Sequence, residues 1–188
     1  MFYAVIHRPK IDTTEIEEVG RKYDPYFGLI STHVTLVFPF KTEDIEGAAL
    51  MAHVQSIADK TEPFEVYFNK LELSWDQWLF LIPTVGKSQF EYIHDELYSG
   101  MLNNFLRSDI EYVPHIALGH FAVANSGYNL KDPTTVLLDE EKYKIARAEI
   151  DKNKLDLIYT ATSMELISVN DEFTQTKTLA NFDFKTRN

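Results

Sequence analysis

Apolar residues recur along this chain in two rhythms. Short alternating or continuous runs mark strands, and spacings of three and four mark helices. FYAVI (2–6) predicts a first strand and THVTLVF (32–38) a second. Leu50, Val54, Ile57 and Ala58 keep helical spacing, predicting a helix over about 43–59. Thr42 is its expected N-cap, with Glu43, Asp44 and Glu46 near its positive end. FEVYFNKLELS (64–74) and WLFLIPT (78–84) follow as two strands joined by a polar turn. Ser88 and Glu91 read as a capping box that opens the next helix. Its stripe is Phe90, Ile93, Leu97, Met101 and Phe105, and it ends near Leu106.

The second part of the chain repeats this plan. HIALGHFA (115–122) is a strand, and Asp132-Pro133 starts a charged helix reaching about residue 152. LDLIYTATSMELIS (155–168) and TKTLANFDF (176–184) predict a hairpin around VNDEFTQ. The order histidine-led strand, helix, hairpin therefore occurs twice, over about 31–84 and 113–184. The segments LELSWDQ and MELISVND are also alike. This pattern predicts an α+β fold in one bilobal domain spanning 1–188. Two pseudo-twofold lobes of antiparallel sheet, flanked by helices, would face each other across a central cleft.

Composition narrows the function. With no cysteine there is no disulfide, thiolate zinc site or cysteine nucleophile. Eighteen basic against 29 acidic residues give a net charge of −11, which argues against extended binding of nucleic acid. A phosphorylated ligand should be small, or present one phosphate to the protein. The apolar runs in MFYAVIHRPK and WLFLI are too short for a signal segment or a membrane span. The expectation is a cytoplasmic monomer that does not bind membranes.

The candidate chemistry lies in the two histidine-led strands. Residues two apart in a strand share a face, so His33 pairs with Thr35 and His115 with Ala117. Val34, Leu36, Ile116 and Leu118 point the other way, into apolar packing. Two imidazoles lining one cleft suit general acid–base chemistry, because their ordinary pKa of about 6.5 allows both protonation states. One takes a proton from water or a ribose hydroxyl, and the other donates to the leaving oxygen of a phosphodiester. A nearby hydroxyl can hold a non-bridging oxygen as charge develops there. Each histidine singly reads as an ordinary packed or surface residue; the repeat is what sets the pair apart. A zinc site built from His33, His115 and His120 is a further reading, but no carboxylate stands at a recognised ligand spacing. No metal or other cofactor is expected.

HVTL (33–36) and HIAL (115–118) lie 82 residues apart, and with the order of elements they resemble the 2H phosphoesterases. That family includes 2′-5′ RNA ligase-like proteins and cyclic phosphodiesterases, whose signature is a pair of H-x-(T/S)-hydrophobic motifs in a bilobal α+β fold. The resemblance implies a phosphoric diester hydrolase or ligase-like enzyme acting on a cyclic phosphate or a 2′-5′ linkage of a nucleotide or RNA end. His33 and His115 would be acid and base in an order left open, and Thr35 would hold the phosphate. Two departures stand out. Ala117 occupies the Thr/Ser place of the second motif, and His120 stands where many relatives have arginine. Ala117 and His120 would still border the substrate, His120 only if Gly119 marks a bulge that turns it toward His115. The alternative implied by Ala117 is a catalytically weakened module that binds a nucleotide or RNA end. A third reading is a scaffold in which the histidines only pack.

Other residues carry less. Trp75 and Trp78 flank the first hairpin turn and are candidates for stacking on a base or for packing. Phe38 and Phe40 read as packing, and Arg8 and Lys10 as solvated charge. His7, His53 and His94 have no repeated partner and read as structural or surface residues.

Overall fold

The computed structural model describes residues 1–41, 45–124 and 135–186. Along the chain run β1 (Phe2–His7), α1 (Thr14–Tyr23), β2 (Val34–Phe40), α2 (Gly47–Ala58), β3 (Phe64–Leu73) and β4 (Trp78–Val85). Then come α3 (Lys87–Tyr98), a 3₁₀ turn (Gly100–Phe105), β5 (Ile116–His120), α4 (Glu140–Asn153), β6 (Leu157–Ala161), β7 (Ser163–Val169) and β8 (Thr176–Asp183). The strands form two antiparallel four-stranded sheets, ordered β2-β1-β7-β8 and β5-β4-β3-β6. The fold is α+β, and the two similar segments of sequence exchange partners. β2 lies with β7 and β8, whereas β5 lies with β3 and β4. Each sheet therefore carries a histidine-led strand at its edge.

One core joins the inner faces of both sheets to the four helices. Val34, Leu36, Leu79, Leu81, Ile116 and Leu118 from the strands meet Ile16, Leu50, Ile93 and Ile150 from the helices. A smaller cluster on the other face of the first sheet contains Ala4, Ile6, Ile167 and Val169, packed by Phe2, Leu29 and Ile30. The segment between α1 and β2 thus lies over that face and leads directly to His33. Among the described residues no helix is long and apolar enough to cross a membrane.

Several expectations change. The stretch 155–168 is two strands, not one: β6 pairs with β3 and β7 with β1. β6 is an edge strand buried at alternate positions, whereas central β7 is buried throughout. The switch falls at Thr162, whose carbonyl accepts from Phe184 N at 2.8 Å. The hairpin is therefore β7–β8 alone. Helix α1 has no counterpart in the expected elements, although Glu15 and Glu17 open it and Arg21 and Lys22 close it, in accord with the helix dipole. Helix α2 begins at Gly47, with Glu46 at the N-cap making no side-chain capping bond. Thr42, Glu43, Asp44, Asp132 and Pro133 lie outside the described residues. The charged helix α4 is capped by Asp139, which accepts from Lys142 N at 3.0 Å.

The capping box does not form. Gly86 holds the N-cap of α3 at φ 83°, and Ser88 Oγ instead bonds Gln89 Oε1 at 3.0 Å. A β-carbon at Gly86 would meet Glu65 O at 2.7 Å, so the tight exit from β4 leaves room only for glycine. Helix α3 stops at Tyr98, and the following 3₁₀ turn rotates Leu102 into the core and leaves Met101 39% exposed.

Candidate active site

The backbone places His33 and His115 one residue ahead of their strands, since β2 starts at Val34 and β5 at Ile116. The alternation expected of the following residues is present. Val34, Leu36, Ile116 and Leu118 are fully buried. Thr35 and Ala117 are half-buried on the opposite faces. Thr35 lies across from Ile6, and Ile6 across from Glu165, so these three form one row on one face of the sheet. Ala117 lies across from Phe80.

The two imidazoles are held alike. His33 Nδ1–H donates to Ser31 O at 2.9 Å, and His115 Nδ1–H to Val113 O at 2.6 Å. Each bond runs to the carbonyl two residues earlier and leaves Nε2 of the neutral ring with its lone pair. Surrounding protein desolvates both rings. Burial is the chief cause that takes His33 down to about 4, opposed by the Ser31 carbonyl. Arg8 and His115 push it further down, and Glu165 pushes back. His115 is also lowered by burial, with the Val113 carbonyl and Asp76 opposing. The His115 ring stacks on Phe80, centroid to centroid 3.6 Å.

His120 reaches the same face because strand β5 is irregular. Gly119 pairs with Leu79 and Ala117 with Phe80, so Leu118 is an extra residue without a partner. Trp78 and Phe80, two apart on β4, lie opposite His120 and Ala117, which puts both on the face that carries His115. The His120 ring stacks on Trp78 at 4.8 Å, and its Nε2–H donates to Asp76 O at 3.0 Å. Trp78 also stacks on the exposed Tyr26. Gly119 is required by α1: a β-carbon there would lie 2.5 Å from Tyr23 Cβ and 3.1 Å from its backbone.

A model of the 2′-5′ RNA ligase superfamily matches residues 7–160, well over half of the chain. The chain belongs to this superfamily. A Bacillus cereus protein named "Putative phosphoesterase" is 27% identical over 116 residues, covering 61% of this chain and 66% of that one. A Bacillus mycoides protein of the same description is 26% identical over the same span. The chain thus spans just under two thirds of the length of these curated relatives, 66%. Among solved structures, one from Thermus thermophilus has a TM-score of 0.64 at 14% identity over 98% of both chains. LigT of E. coli has a TM-score of 0.57 at 15% identity, again over 98% of both. Those identities make the structural likeness one of fold.

Within this superfamily frame, several residues near His33 escape local sequence patterns. Arg8 is not a solvated charge. Its Nε and Nη2 donate to Glu165 at 3.1 and 3.2 Å, and its Nη1 to Ser31 Oγ. Glu165 was legible in principle, as the one acid in the otherwise uncharged strand SMELISV. The free edge of β2 is covered by side chains. Tyr112 O–H donates to Thr35 O at 2.9 Å, His94 Nδ1–H to Leu36 O at 2.8 Å, and Phe38 N to Tyr98 O–H at 3.0 Å. Nothing in local spacing announces these contacts. His53 donates to Leu97 O at 2.8 Å, and buried His7 bonds both Ser163 O and Tyr159 O–H. Lys10 pairs with Asp183 at the surface, and Phe40 packs on Phe105. Among the described residues, no three His, Cys, Asp or Glu side chains are grouped to hold a metal, so His33, His115 and His120 do not form the zinc set considered above.

Proposed function

We propose that the protein is a metal-independent phosphoesterase that opens a cyclic phosphate or cleaves a 2′-5′ phosphodiester of a nucleotide or RNA end. The observation that carries this reading is the matched pair of imidazoles. His33 and His115 lead the edge strands of opposite sheets, and each has Nδ1 tied to a carbonyl and Nε2 available. Superfamily membership, and relatives named as phosphoesterases, support it. LigT of E. coli has been crystallised with NADP⁺, ATP, phosphate and 3′-AMP, which supports a small nucleotide ligand.

In this mechanism one neutral Nε2 removes a proton from water as its oxygen attacks phosphorus. The other ring, protonated, gives its proton to the ribose oxygen as the P–O bond breaks. One water is added across one ester bond, and the pair exchanges protonation states. Thr35 donates its hydroxyl hydrogen to a non-bridging oxygen. His120 borders the substrate beside Ala117. With a ribose hydroxyl in place of water, the same steps open a cyclic phosphate and join its phosphorus to that oxygen, and the freed ribose oxygen takes the other ring's proton.

Ala117 supports a second reading, a module that binds a nucleotide or RNA end and turns it over weakly. Loss of one transition-state donor costs on the order of 10²–10³ in rate. Incubation with 2′,3′-cyclic nucleotides and 2′-5′ dinucleotides, with and without chelator, separates the two. Turnover insensitive to chelator supports the enzyme, and saturable binding without turnover supports the module. Neither binding nor turnover would defeat both.

A further inference from the structure

One buried charge has no part in the mechanism above. Glu165 is 8% exposed and sits in central strand β7. Its carboxylate accepts from Arg8 Nε at 3.1 Å, Arg8 Nη2 at 3.2 Å and Thr178 Oγ1 at 3.2 Å. A buried ion pair is a poor source of stability, because apolar side chains of similar size often do as well. Its connections point elsewhere. The third Arg8 nitrogen, Nη1, donates to Ser31 Oγ, and the Ser31 carbonyl is the acceptor for His33 Nδ1–H. A continuous chain of contacts therefore runs from β7 through the end of β1 to the histidine ahead of β2. Each Arg8 nitrogen has a protein partner. His115 has no such support, since its acceptor belongs to Val113, whose side chain offers no polar handle.

We propose that Arg8 and Glu165 are positioning residues for His33: Glu165 orients Arg8, Arg8 clamps Ser31, and Ser31 holds the imidazole as its Nδ1–H tautomer. This rests on the reading of His33 as an acid–base group. The charges facing the ring are Arg8 from the end of β1, Glu165 from β7 and His115 from the segment ahead of β5. Arg8 and Glu165 act on its protonation in opposite directions, Arg8 the more strongly.

The test is nitrogen NMR of the His33 ring in wild type, Ser31→Ala, Arg8→Gln and the double variant Arg8→Gln/Glu165→Gln. Ser31→Ala keeps the carbonyl and removes only the hydroxyl that Arg8 grips. Wild type should show one protonated Nδ1 and one unprotonated Nε2 at neutral pH. The variants should show a mixture of tautomers. With a cyclic phosphate, kcat should fall by roughly tenfold to a hundredfold with KM nearly unchanged. Arg8→Lys, a point charge in place of a planar fork, should restore part of the loss. If Arg8→Gln does not fold because Glu165 loses its partner, Ser31→Ala and the neutral double variant decide the matter. An unchanged tautomer in those two overturns the proposal. The tautomer is read without substrate, so a tautomer shift in a protein that turns over no phosphodiester would leave the clamp standing and remove the phosphoesterase reading.

Discussion

Gly119→Ala gives a quantitative check on how the fold supports the site. The added β-carbon would lie 2.5 Å from Tyr23 Cβ and 3.1 Å from Tyr23 C and O. Ordinary carbon contacts are about 3.5–4.0 Å, so α1 must move from β5 by about 1 Å. Overpacking of this kind costs about 1–3 kcal/mol. At about 2.1 cal/mol/K per residue, a chain of 188 residues unfolds with roughly 0.4 kcal/mol/K of entropy. A loss of about 2 kcal/mol then lowers Tm by about 5 °C. Gly47→Ala is the contrasting control. It opens α2, its β-carbon would meet nothing within 4 Å, and it should gain up to about 1 kcal/mol. Thermal and urea unfolding of the two variants beside wild type measures both signs. Gly119→Ala should also slow turnover, because the bulge that it distorts turns His120 to the site. A Tm for Gly119→Ala equal to or above wild type would refute the seating of α1 on β5.

Other outcomes follow from the same geometry. Burial lowers both His33 and His115, so the free enzyme carries one proton on the pair only below pH 6.5. Its kcat/KM should therefore peak on the acid side of 6.5 and fall toward pH 8, as initial rates across pH would show. Buried His7 is lowered from 6.5 to about 4, chiefly by desolvation. Its neutral form stabilises the fold fully above pH 6.5, and about 3 kcal/mol is lost as pH falls from 6.5 toward 4. His33, His94 and His115 add with the same sign. Urea midpoints should fall steeply over that window, and His7→Gln should flatten part of the slope. Ala117→Thr places a hydroxyl across from Phe80 on the site face and should raise turnover by roughly tenfold or more.

The sequence carried much of this architecture. Alternating and continuous apolar runs located every strand except that β6 and β7 were merged into one, and the buried halves of both histidine motifs fall where period two puts them. Burial on both faces defeats that signal, which is why alternation does not separate β7 from β6 at Thr162. Helix α1 has only a short apolar stripe, Ile16 to Val19, set between two turn-forming stretches, so periodicity does not announce it. At the site, the paired histidines stand out because they repeat. Their support does not repeat. Arg8 meets Glu165 across 157 residues and Tyr112 meets Thr35 across 77, contacts that only the assembled sheets create. The turning of His120 depended on whether Gly119 marked a bulge, and the close approach of Tyr23 explains why a glycine stands there.

The central claim is that His33 and His115 act as one unit on one phosphodiester. The most direct measurement is a double-mutant cycle with His33→Ala, His115→Ala and both together, reading kcat/KM on a 2′,3′-cyclic nucleotide. Each single variant should lose on the order of 10³ or more, and the double should lose little beyond either one. A single variant that keeps the wild-type rate, or losses that simply multiply, would contradict the account.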